Sequence, residues 1–356
     1  MINFNNGGFI LKFGLLDYNY GTSQYRITTN FGDEIQSIAA SYFLPKIDYF
    51  IDREQISSNN FDKNEKIKVI MNGWWIHDAN QWPPAQNIEP LLISMHFTDK
   101  KDFIKNLFSK ENVYYLSEGN LPVGARDLYT LELLQNYNIP SYFSGCLTLT
   151  LPKNENIKKQ DYILCVDVNP IIVNYIKSKT SRPVYCISPE FKFNFFSAID
   201  KFKIAFNLLA AYQSAHTVIT TRLHAAMPSL ALETPVLLID KSKTSEIRFS
   251  GLSEFVHSVK EINYLNNLDY YDFNNPPQNS SKYLKYRKNL IEKCELFTGH
   301  KHNNISPLLQ NNSPEELIVQ NLNSMYNASK NLKIESYLTK RNIRHWFKEK
   351  LLQSFK

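Results

Sequence analysis

The sequence predicts an α/β protein made of two Rossmann-like, doubly wound domains followed by a C-terminal helical tail. Three observations carry that prediction. Strand-like apolar runs alternate with segments of helical period through most of the chain. The length, 356 residues, exceeds what one hydrophobic core usually organises. The polar stretch "LPKNENIKKQD", residues 151–161, interrupts the apolar pattern with the composition of a linker. The expected spans are therefore 1–150, 151–330 and, for the tail, 331–356.

Taken in order, Phe9–Asp17 reads as the first strand, an apolar run broken by Lys12. Ile35, Ile38, Ala39 and Tyr42 then follow a 3.6-residue period, with Asn30, Gly32 and Asp33 of "TNFGDEIQSIAA" in the turn that opens this helix. Ile67–Asn72 and Pro90–His96 are the next strands. In "VGARDLYTLELL", residues 123–134, Gly124 and Ala125 lead into a helix begun by Arg126 and Asp127 and striped by Leu128, Leu131 and Leu134. Beyond the linker come strands at Asp161–Val168, Pro183–Ser188, His216–Thr221 and Pro235–Asp240, and a helix carrying Ile204, Leu208 and Ala211. Residues 269–281 are irregular, and no internal repeat is apparent.

Composition narrows the function classes. With 43% hydrophobic and 21% charged residues, the chain is too apolar to be disordered and ordinary for a soluble protein. The net charge of +6 sits almost entirely in residues 333–356, which argues against a nucleic-acid partner. No stretch approaches the ~20 apolar residues of a membrane span, and no signal peptide opens the sequence, so a cytoplasmic location is expected. Cys146, Cys165, Cys186 and Cys294 are widely spaced without a C-x-x-C pair; buried free thiols and no metal site are expected. Asn279, Asn311 and Asn327 each head an N-x-S triplet, as chance produces in an Asn-rich chain.

Open α/β sheets bind ligands beyond the carboxyl ends of their strands, so chemistry is sought there. In "VITTRLHAAMPSLALETPVLLID", residues 218–240, Arg222 and His224 stand at the junction between a β-branched strand and a buried helix. A helix N-terminus favours anions and disfavours an arginine unless something negative is bound. Arg222 and His224 thus read as an anion cradle, or Arg222 as one half of an ion pair with a carboxylate such as Asp33, Asp127 or Glu233. Arg126 repeats the arrangement, and Asp127 reads as a helix cap. Asn72 ends a strand before Trp74 and Trp75, a setting that suits sugar stacking, and His96 ends another, where it could exchange protons near neutral pH.

Together these stretches resemble the polysaccharide pyruvyltransferase family. The resemblance rests on the NxGDxxQ turn at Asn30–Gln36, the GARD helix start at Gly124–Asp127, "CLTLTL" at Cys146–Leu151 and the RLH box at Arg222–His224 followed by "TPVLLI". It covers residues 10–250 and implies a GT-B-like architecture and transfer of pyruvyl from phosphoenolpyruvate to a sugar as a ketal. It implies Arg126, Arg222 and His224 as donor ligands, with residues 1–150 on the acceptor side and 151–330 on the donor side. Ketal formation needs an acid for the donor methylene and a base for the sugar hydroxyl. His224 fits the first role, His96 or Asp33 the second, and Asn30, Asn72, Trp74 and Trp75 the acceptor. Phosphoenolpyruvate is then a co-substrate, and no cofactor is expected.

In the tail, Ile343, Phe347 and Leu351 recur four residues apart, joined by Trp346 and Phe355, with basic residues elsewhere. This is the pattern of a helix lying on an anionic membrane, and equally of a helix docked on the protein with a solvated basic face. The first would suit a lipid-linked oligosaccharide acceptor at the inner face of the cell membrane. Two further readings stand beside the main one. A GT-B glycosyltransferase would use Glu233 of "LALETPVLLID" to hold nucleotide-sugar hydroxyls, and a non-catalytic glycan-binding scaffold would use the aromatics alone.

Overall fold

The computed structural model describes residues 9–18, 29–58, 61–118, 122–191, 197–241 and 247–309. The basic tail, Asn311 and Asn327 lie outside them. The fold is α/β, with one parallel sheet of six strands and a second of five. The first has the order β3-β1-β4-β5-β6-β7, formed by Tyr49–Asp52, Ile10–Asp17, Glu65–Trp75, Ile88–Phe97, Val123–Ala125 and Ser141–Phe143. The second comprises β8 (Ile163–Val166), β9 (Val184–Ile187), β11 (Thr217–Thr220), β12 (Val236–Asp240) and β13 (His257–Lys260), ordered β13-β12-β11-β8-β9. Between them β2 (Thr29–Asn30) and β10 (Glu190–Phe191) form a short antiparallel pair in which Asn30 faces Glu190.

Both faces of each sheet are covered, which is why the central strands read as continuous apolar runs rather than alternating ones. One core lies between the sheets and takes Leu15, Ile70 and Ile93 from the first, Leu164, Val218 and Leu238 from the second. The outer face of the first sheet packs Val69, Met71, Trp75, Leu92 and Phe97; that of the second packs Cys165, Ile219, Leu237 and Ile239.

Helix α1 (Phe31–Ser41) is buried along its whole length. It packs on β1 and β4 on one side, and on the later helices Ala198–Ser214 and Leu223–Ala231 on the other. Asn30 caps it, its Oδ1 accepting from the Gly32 amide at 3.3 Å. A buried ion cluster fastens the same region: Lys201 Nζ lies 2.5 Å from Asp17 Oδ1, 2.8 Å from the Tyr18 carbonyl and 3.7 Å from Glu34 Oε1.

The short strands β3, β6, β7 and β13 have three or four residues each, too few to show a period of their own. In the expected 123–134 helix only Leu134 of the three leucines is fully buried, while Leu128 is exposed at 44%. The Leu128 amide instead donates to the Ser250 carbonyl, which ties the helix start to the 247–252 segment. Among the described residues the four cysteines are free, Cys186 half-buried and the rest buried. Asn279 hydrogen-bonds the backbone at Val236 and Thr234, so its amide serves the fold.

Candidate functional site

The carboxyl ends of strands from both sheets meet around His224. From the first sheet come His96, the penultimate residue of β5, and Arg126, directly after β6. The helix Leu128–Asn136 then starts, with Asp127 as its cap: Asp127 Oδ1 accepts from the Thr130 amide at 2.9 Å. Its other oxygen, Oδ2, lies 2.7 Å from His96 Nδ1. Asp127 therefore fills the expected capping role and also holds the histidine.

Arg126 is wholly buried, and its backbone is pinned by an amide bond to the Met95 carbonyl at 2.7 Å. Its Nε lies 3.5 Å from Asp127 Oδ2, an ion pair too long for a hydrogen bond. None of its three guanidinium nitrogens has a hydrogen-bond partner among the described residues. A buried group with five donors and no acceptor is costly, and it is the arrangement expected of a side chain built to receive an anion.

From the second sheet, β11 leads through Arg222, the N-cap, into the helix Leu223–Ala231, every residue of which is buried. Pro228 within it has no amide proton for the carbonyl four residues earlier, which is that of His224. His224 accordingly leaves helical geometry, at φ −82° and ψ 18°. Its ring packs on the N-terminus of α1: a Cβ added to Gly32 would come 3.1 Å from His224 Nδ1. His224 Nε2 is buried without a hydrogen-bond partner among the described residues.

Arg222 is an ion pair, as the alternative reading held, though with other carboxylates. Its Nε donates to Asp167, just after β8, and its Nη2 to Glu190 of β10 at 2.9 Å. Asp33 and Asp127 lie elsewhere in the cluster. Glu233 lies at the opposite end of the 223–231 helix, where it pairs with Lys153 at the surface, 3.1 Å away. It is far from the strand ends that a nucleotide-sugar donor would occupy.

The field on His224 is set by its cationic neighbours. Burial, then Arg126, Arg248, His96 and Arg222 in that order, hold the His224 pKa well below its ordinary value. Burial and Arg126 lower His96 to about 4, against the opposing pull of Asp127. Arg248 lies where water reaches it, yet crowding by protein first and Arg126 next bring it down to about 10, with Asp33 opposing. Both histidines are thus neutral at pH 7, inside the field of three arginines.

The structure brings Arg126, Arg222, His224, His96 and Asp33 into this one cluster. The expected acceptor residues are more scattered. Asn30 is committed to the α1 cap, and Asn72 is buried with its Nδ2 on the Gln36 carbonyl at 3.2 Å. Trp75 is corrected outright: it is fully buried, edge-on to Trp82 at 5.8 Å between centroids, and belongs to the core rather than to an open face. Trp74, by contrast, is half-buried. Sequence reasoning missed Asp167 and Glu190, both of which follow strand ends and were open to the same rule as Arg222. It also missed Arg248, which lies eight residues beyond the end of β12.

A family model described as polysaccharide pyruvyl transferase matches residues 30–242, more than half of the chain. The chain belongs to this family. No curated protein matches it. The matched span holds Asp33, His96, Arg126, Asp167, Glu190, Arg222 and His224, and stops before Arg248. As a polysaccharide pyruvyl transferase the protein is a transferase of polysaccharide biosynthesis. Among the described residues, no helix is long and apolar enough to cross a membrane.

Proposed function

We propose that the protein transfers pyruvyl from phosphoenolpyruvate to two hydroxyls of one sugar in a polysaccharide or its lipid-linked precursor, forming a ketal and releasing phosphate. The observation that carries this reading is Arg126, a buried guanidinium without a hydrogen-bond acceptor among the described residues, in a field it shares with Arg222, Arg248 and His224. A small donor with a phosphate and a carboxylate supplies what that centre lacks, and planar guanidinium forks match both groups.

In this reading Arg126, Arg222 and His224 bind the donor, with Arg248 added to them. The approaching polyanion opposes the arginine field on His224 and raises its pKa, so the imidazole takes up a proton and becomes the acid for the donor methylene. Protonation leaves C2 oxocarbenium-like. One sugar hydroxyl attacks it, phosphate departs, and the second hydroxyl closes the ketal. His96 is the base: Asp127 occupies Nδ1 and leaves Nε2 as the nitrogen that exchanges protons. Asp33, which accepts from Gln36 Nε2 at 3.1 Å, is the second candidate.

The arrangement proposed is GT-B-like, with residues 1–150 on the acceptor side and 151–330 on the donor side. The tail, residues 331–356, would hold the protein at the inner face of the membrane, where lipid-linked acceptors reside. The test is to incubate the full chain with phosphoenolpyruvate and oligosaccharide or lipid-linked acceptors. Phosphate release should match a mass gain of one pyruvate less one water on the sugar; protection by a nucleotide sugar and none by phosphoenolpyruvate would replace this reading with the glycosyltransferase one.

A further inference from the structure

The carboxyl edge of the six-stranded sheet carries a second group of side chains, on the far side of His96 from the arginines. Across β3, β1, β4, β5 and β6 the residues at or just after the strand ends are Arg53, Tyr18, Trp74, His96 and Arg126. Trp74 and His96 are direct register partners on parallel strands. Their neighbours Trp75 and Phe97 both enter the core of the outer face, so Trp74 and His96 project side by side from the opposite one.

Trp74 is half-buried, and its indole is held by a frame of side chains. Arg53 is wholly buried; its Nε donates to Glu54 Oε1 at 2.9 Å and its Nη1 to the Trp74 carbonyl at 3.0 Å. The guanidinium carbon lies 5.3 Å from the Trp74 ring and 4.7 Å from the Tyr18 ring. Glu54 also holds His77, 2.9 Å from its Nδ1, and the His77 ring leans on Trp74 at 4.4 Å between centroids. A half-buried aromatic fixed in this way offers contact area with little ordering left to lose on binding.

We propose that Trp74 is the platform of the acceptor subsite, on which a neutral hexopyranose lays the C–H face of its ring and thereby sets a hydroxyl against His96. The inference rests on the pyruvyl-transfer reading for its word "acceptor". Neutrality follows from the charges at this end. Glu54 holds Arg53 and Asp17 holds Lys201, so neither of these buried cations is left to pair with an acidic sugar.

Saturation-transfer NMR on the full chain, without phosphoenolpyruvate, tests this with neutral methyl hexopyranosides and methyl glucuronide. Ring protons of at least one neutral glycoside should receive saturation from wild type and from Trp74→Phe, and the signal should fall roughly three- to tenfold in Trp74→Ala. The glucuronide should give none. If Trp74→Ala loses its fold, Trp74→Leu takes its place with the same expectation. Full signal from the non-aromatic variant, no signal from any neutral glycoside with wild type, or preference for the glucuronide overturns the proposal. Because the donor is absent from this measurement, a protein that never uses phosphoenolpyruvate sinks the donor reading alone.

Discussion

His96 and Asp127 meet at the head of the 128–136 helix, Nδ1 to Oδ2 at 2.7 Å, both buried, while the second Asp127 oxygen caps that helix. The carboxylate thereby fixes the imidazole as the tautomer whose Nε2 is free of a proton. Asp127→Asn separates the two duties, since asparagine caps as well as aspartate but can offer Nδ1 an N–H and so turn the ring into the other tautomer. We expect kcat to fall by about 10²- to 10⁴-fold with little change in the KM for phosphoenolpyruvate or in thermal stability. A matching loss of stability would reduce Asp127 to a cap.

Arg126 should show function set against stability. Among the described residues the buried Arg126 guanidinium has no hydrogen-bond acceptor, which is costly, but its removal also takes the 3.5 Å counter-charge from Asp127; the two effects oppose, so Arg126→Met is expected to shift the melting temperature little. The same variant should lose the thermal shift on adding phosphoenolpyruvate and at least about a hundredfold in kcat/KM, more than the ~1.5–3 kcal/mol of one charged hydrogen bond. A differential-scanning experiment with and without the donor decides it.

Gly32 sits where α1 meets the RLH segment. A methyl group there would come 3.0 Å from His224 Cβ and 3.1 Å from Nδ1, so Gly32→Ala must displace the imidazole or the start of α1. We expect a fall in activity of about tenfold or more, larger than the stability loss accounts for, and partial relief on trimming the neighbour with His224→Ala, read as unfolding midpoint in a double-mutant cycle.

Stability should pass through a maximum with pH. Folding holds His96 at about 4 against an ordinary 6.5, and His224 well below 6.5, by burial first and then by Arg126. The unfolded chain therefore binds protons that the folded chain refuses, so stability is lost as pH falls from 6.5 toward 4, about 3 kcal/mol from His96 alone. Glu34 has the opposite sign. Burial lifts it to about 8 although Lys201 opposes, because the lysine bonds Asp17 and the Tyr18 carbonyl and leaves both Glu34 oxygens without a hydrogen bond. Its contribution is full below 4.5 and is lost as pH rises through 8. Chemical denaturation from pH 4 to 9 should show both limbs, with Glu34→Gln flattening the alkaline one and His96→Asn the acid one.

The long buried strands were legible in the sequence because sheets covered on both faces need unbroken apolar runs, as at residues 217–220 and 236–240. The RLH junction was legible because a cation at a helix start contradicts local preference. What stayed hidden was pairing. Asp167 and Glu190 lie more than thirty residues from Arg222, and only the strand order β11-β8-β9 and the β2–β10 pair bring them to it. Trp74 and Trp75 are adjacent and alike in the sequence, yet strand alternation leaves one half-buried and sends the other into the core. Composition has no access to that difference.

The antiparallel pairing of β2 with β10 has a mechanical consequence. Glu190 is bonded through its backbone to the strand that opens α1 and through its side chain to Arg222, and α1 itself has no face left for water. A hinge swinging the two halves apart would tear this clasp and strip a whole helix of its neighbours. The spacing of the strand ends around the cluster is therefore set by the scaffold itself.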